Sequence, residues 1–147
     1  MSVQSLTIDN ALHGVEELLR HRISPEIGDP FAAQMARLSC LLLRICANGV
    51  DGAAELRVNE NAAIRAILAQ AAGLVPPSQG AEWHAAAQSA DPGLKLSVLD
   101  AENNRLRQML AAAHAAVEDI ATPAARALDQ RIWQFLEAAE ANRAPGE

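Results

Sequence analysis

Hydrophobic positions recur at three- and four-residue steps in nearly every stretch of this chain that lacks proline, a spacing that predicts helices from end to end. After Thr7, the residues Ile8, Ala11, Leu12, Val15, Leu18 and Leu19 keep that period until the basic run at 20–22 and Pro25 end it. Asp29-Pro30, an N-cap followed by proline where no amide donor is needed, opens a second helix. There Phe31, Met35, Leu38, Leu42 and Ile45 alternate steps of four and three. Leu41, Leu43 and Cys46 widen the stripe and leave Arg37 and Arg44 to mark a solvent side. This is the helix expected to be most buried, with Asn48-Gly49 as its stop.

A third helix is predicted over about 51–72, and Pro76-Pro77 then makes residues 73–80 the main break. Residues 81–88 have the length for two helical turns, and Asp91-Pro92 resembles another cap followed by proline. A further helix runs from about 94 or 97 to 120. Thr122-Pro123 repeats the capping device before a last stripe of Leu128, Ile132, Phe135, Leu136 and Ala139. The prediction is an all-α protein, a single-domain bundle of four long helices plus a short fifth or connecting helix. It covers residues 1–143, with sub-blocks 5–73 and 81–143 joined by the Pro76-Pro77 linker, and leaves 144–147 as a flexible tail.

One helical pattern is written twice. Glu60-Asn61-Ala62-Ala63-Ile64-Arg65 returns about 42 residues later as Glu102-Asn103-Asn104-Arg105-Leu106-Arg107. With Asn61 and Asn103 at equivalent heptad a positions, Ile64, Leu68, Ala71 and Val75 continue one apolar seam and Leu106, Leu110, Ala113 and Val117 the other. A polar amide in such a seam fixes register when it is paired. Three arrangements follow: the two amides pair with each other, each pairs across a subunit contact, or both face solvent with Arg65 and Arg107 one turn on. The span between the seams is long enough for parallel or antiparallel packing.

Composition narrows the class. The 147 residues are 50% hydrophobic but 3% aromatic, which favours helix over sheet, and are enough for one core. Twelve basic against 18 acidic residues, net −6, disfavours nucleic acid as a partner. Arginine in place of lysine, together with abundant alanine, suggests a bacterial source. Arg44 interrupts the apolar run Leu41 to Leu43, so neither a signal nor a spanning segment is expected, and the compartment expected is the cytoplasm. Cys40 and Cys46 lie six apart on one predicted helix, roughly 9 Å in rise, and are expected as unpaired core thiols.

No catalytic grouping is expected. Glu-x-x-His pairs for a bridged metal are absent, and Glu17 with His21 and His114 with Glu118 have the i,i+4 spacing that surface pairs also use. No metal or cofactor is therefore predicted. His114 lacks the lysine and glycine that follow a phosphotransfer histidine. Trp83 and His84, just after the proline break, are an anchor for a partner, one wall of an apolar pocket, or a lid on the core.

The motif Glu-Asn-x-x-hydrophobic-Arg, with Ile132-Trp133-x-x-Leu136 near the end, resembles uncharacterised small all-helical bacterial proteins over roughly residues 51–143. The resemblance implies a helical fold and no activity. The function expected from the residues is non-enzymatic protein–protein interaction, with self-association into a homodimer foremost. Asn61, Asn103, Arg65, Arg107, Trp83 and His84 are its interaction candidates. The alternatives are a module holding a small apolar ligand near Trp83, and an enzyme or phosphotransfer protein using His114 or His84.

Overall fold

The computed structural model describes residues 6–142; the tail expected at 144–147 lies outside them. The described residues are helical with no strand. Six α-helices follow one another: α1 (Ile8–Leu18), α2 (Pro30–Val50), α3 (Ala53–Ala72), α4 (Pro77–Ala87), α5 (Leu96–Glu118) and α6 (Pro123–Ala141). The count therefore exceeds the four long helices and a short fifth that were expected, because residues 77–87 form a full helix. The chain divides into two compact units at the start of α3, Ala53 closing the first and Ala54 opening the second, and not at Pro76-Pro77.

The first unit is a hairpin of α1 and α2. A π-helical turn (Leu19–Ile23) and a 3-10 turn (Ser24–Glu26) carrying Pro25 connect them. Asp29 caps α2 by accepting from the Ala32 amide at 2.8 Å, as Asp29-Pro30 predicts. The hairpin closes on the small face of α2, where Ala36, Cys40 and Ala47 are buried, and the Cys40 thiol lies 3.9 Å from the Glu16 carbonyl oxygen. Small side chains let the two helices approach closely, so α1 takes this face. α2 also runs through Asn48-Gly49 to Val50, and no described residue has a positive φ. The expected left-handed stop is not used.

α2 is thus not the most buried helix. Its large stripe, Phe31, Met35, Leu38, Leu42 and Ile45, lies on the opposite face, each residue 37–71% exposed. Exposed Cys46 flanks the stripe, so only Cys40 is a core thiol. By length and composition alone α2 is also apolar enough to cross a membrane, which the interruption at Arg44 had argued against. A helix is judged over its whole length, and two arginines in 21 residues do not lower its average enough.

The second unit packs α3, α4, α5 and α6 around Ile64, Leu68, Leu106, Leu110, Val117, Leu128 and Ile132. Pro77 sits at the start of α4, where it costs no hydrogen bond, and Gly80 is buried where an added Cβ would meet the Ala72 carbonyl oxygen at 2.9 Å. The break is therefore shorter than 73–80, and Gly80 permits a tight turn of α4 onto the end of α3. Thr122 caps α6 through the Ala125 amide at 3.2 Å. One groove sets Leu56, Asn59, Glu60 and Ala63 of α3 beside Phe135 and Ala138 of α6 and Asn142 just past its end, and another sets Gln70 and Leu74 beside Ala124 and Ala127. α6 thus runs antiparallel to α3. It also returns along α5, placing Asp129 and Trp133 beside His114, so α3 and α5 run parallel.

Candidate functional site

Parallel packing brings the two copies of the repeat into register, and their side chains pair reciprocally. At the a positions Asn103 Nδ2 donates to Asn61 Oδ1 at 2.9 Å, both residues being buried. Of the three arrangements open from sequence, the intrachain one is formed. The residue before each Asn is a g position and the Arg four beyond it an e position, and in parallel helices g faces the next e of the partner. Arg107 Nε donates to Glu60 Oε1 at 2.6 Å, and Arg65 Nη2 donates to Glu102 Oε1 at 2.8 Å. The centre of the second unit therefore has the side-chain arrangement of a two-stranded parallel coil, formed within one chain.

Further groups break the two-fold likeness. Asp91 Oδ1 accepts from Asn61 Nδ2 and from Arg65 Nη2, each at 2.9 Å, so Asp91 belongs to this cluster and does not cap α5. Ser89 Oγ accepts from Arg65 Nε at 3.3 Å and donates to the Ala86 carbonyl at 2.7 Å. Arg57 donates to Asp100 and Glu60, and Arg105 to Glu102. Four guanidinium groups meet four carboxylates, so the low-dielectric cost of burying Glu60, Arg65 and Glu102 is offset locally.

Chemically, the cluster fixes register, and Glu60, ion-paired to Arg57 and Arg107, is its member at the groove between α3 and α6. Hydrogen bonds from Arg105, then Arg65, hold the Glu102 carboxyl below its ordinary value near 4.5. A carboxylate lowered in the folded state contributes stability that is complete above its unfolded pKa and disappears as pH falls through the folded one. Glu102→Gln is therefore expected to destabilise the protein by about 1–2 kcal/mol at neutral pH. The difference from wild type should shrink below about pH 4.5, as followed by urea unfolding across a pH series.

The remaining interaction candidates separate. Trp83 is buried among Leu106, Leu110 and Ala86 in the core of the second unit, the lid reading of that residue. His84 is exposed and lines an open groove of about 340 Å³ with Ala69, Ala72, Gly73, Pro77 and Ala81. The two neighbours in sequence thus share no enclosed pocket among the described residues. His114 is half-buried, its Nε2 2.7 Å from Asp129 Oδ1 and 3.7 Å from Glu118 Oε1, with Trp133 edge-on at a 5.3 Å centroid distance and 78°. The i,i+4 spacing relates His114 to Glu118 in the sequence, whereas Asp129 comes from another helix.

A third feature is the open stripe of α2. Among the described residues, twelve of the fifteen large hydrophobic side chains that are exposed belong to the first unit. They include Ile8, Val15 and Leu18 of α1 beside the five of the α2 stripe. Compared with family models, with curated proteins and with solved structures, the chain matches none.

Proposed function

We propose that this protein acts by self-association, with the α2 stripe of one copy packed against that of a second copy to make a homodimeric helical bundle. The observation that carries the reading is the exposed four-three seam of Phe31, Met35, Leu38, Leu42 and Ile45. The five side chains of the seam present on the order of 500 Å² of apolar surface in one stripe, the size of patch that is often functional.

Two features favour a second copy over other occupants. Taking Met35 and Leu42 as a positions, the flanking e and g residues are Gln34, Ser39, Leu41 and Cys46, so no charge repels an identical helix. Arg37 and Arg44 fall at c positions, outside the seam, where each would cost roughly 2.5–3.5 kcal/mol inside a bilayer. The asparagine pair and its ion pairs act within the chain, holding the second unit in one register, and take no part in the interface. Sedimentation velocity over a dilution series, run beside flotation with neutral and anionic vesicles, tests the reading. A concentration-dependent dimer that stays out of the vesicle fraction is expected. A monomer at all concentrations, or a monomer that floats with vesicles, would refute it.

A further inference from the structure

His114, Glu118 and Asp129 take no part in the α3–α5 register or in the α2 seam, and together they have the composition and spacing of a metal site. We propose that His114 and Glu118 of α5 with Asp129 of α6 bind a divalent transition-metal ion of the zinc type, tying the two helices together.

Three donor atoms converge, His114 Nε2, Glu118 Oε1 and Asp129 Oδ1, all within 4.8 Å of one another. Ligand atoms about 2.0–2.1 Å from a tetrahedral ion stand roughly 3.3 Å apart. The present separations from the imidazole nitrogen, 2.7 and 3.7 Å, lie on either side of that value. An ion enters by parting the His114–Asp129 pair and drawing Glu118 inward, each by a few tenths of an ångström. The i,i+4 spacing sets His114 and Glu118 on one face of α5, and antiparallel packing of α6 delivers Asp129 to the same point.

The donor set also selects the ion. One imidazole nitrogen with two carboxylate oxygens suits zinc, cobalt or manganese, whereas calcium and magnesium take oxygen-only shells. Two carboxylates neutralise a dication, and three protein ligands leave a fourth position for water. Trp133, edge-on to the His114 ring, restricts its orientation and places a fluorophore beside the site.

Metal-stripped protein titrated with Co2+ and, in competition, with Zn2+ tests the proposal through Trp133 emission and cobalt absorption. Expected are saturable quenching at one ion per chain, displacement by Zn2+ and a higher unfolding temperature with Zn2+. Asp129→Asn and His114→Gln are expected to weaken binding about tenfold or more. Trp133→Phe should bind while losing the quenched emission. Circular dichroism verifies that each variant remains helical. The proposal is overturned by the absence of saturable binding, by binding undiminished in both ligand variants, or by Mg2+ displacing Co2+ as well as Zn2+ does. Dimer formation unaltered by chelator separates this outcome from that of self-association.

Discussion

Replacing Leu42 with glutamate is expected to abolish the proposed dimer without unfolding the hairpin. Leu42 is 54% exposed on the face of α2 opposite α1, so glutamate there keeps its solvent shell in a single chain. In a dimer the same residue meets its equivalent or a near neighbour across the seam. Two leucine burials of about 2 kcal/mol each are then lost, which corresponds to a dissociation constant roughly a thousandfold higher. Charge burial adds to that loss. Sedimentation should report a monomer and far-UV circular dichroism an unchanged helix content. A variant that remains dimeric would remove the α2 seam as the interface.

Arg65→Met is expected to be the most damaging single substitution in the second unit. Arg65 donates to Asp91, Glu102 and Ser89, and methionine leaves two carboxylates in place with one cation fewer. Removing one member of a buried ionic cluster costs about 3–5 kcal/mol, against a total stability of about 5–15 kcal/mol for an ordinary domain. A fall of more than about 10 °C in unfolding temperature should follow. Arg65→Lys should recover only part, because one ammonium lacks the planar fork that spans Asp91 and Glu102. Calorimetry of the full-length variants measures both; a loss under about 1 kcal/mol for Arg65→Met would mean that water replaces these bonds freely.

Local signals in the chain were informative wherever a single helix answers them. Asp29-Pro30 and Thr122-Pro123 begin helices, and the seams through Ile64 and Leu106 are buried. Signals that depend on a partner were ambiguous. α2 carries two stripes, one of small residues through Ala36 and Cys40 and one of large residues through Leu38 and Leu42, and apolar spacing does not say which faces α1. Hydrophobicity favours burying the large stripe, whereas close helix approach selects the small one. Asp91-Pro92 reads locally as a cap, yet Asp91 is drawn to Asn61 and Arg65, which lie 30 and 26 residues earlier.

The ion pairs of the repeat were closer to legible. Once Asn61 and Asn103 stand at a positions, Glu60 and Arg107 are a g and the following e, as are Glu102 and Arg65. That relation holds for parallel helices only, and direction was the missing quantity. Asp129 carried no such signal, since its partner His114 belongs to a different helix with no repeat to align them.

The parallel course of α3 and α5 makes their seam indifferent to dilution. A two-stranded coil assembled from separate chains exists only while concentration exceeds its dissociation constant, whereas α4 and its flanking turns tether these two strands. Their mutual effective concentration is set by the tether, typically in the millimolar range for short linkers, whatever the sample. Asn61 therefore meets Asn103 at any dilution. Of the two heptad seams in the chain, the one through Leu42 is, under the proposed self-association, the one that responds to how much protein is present.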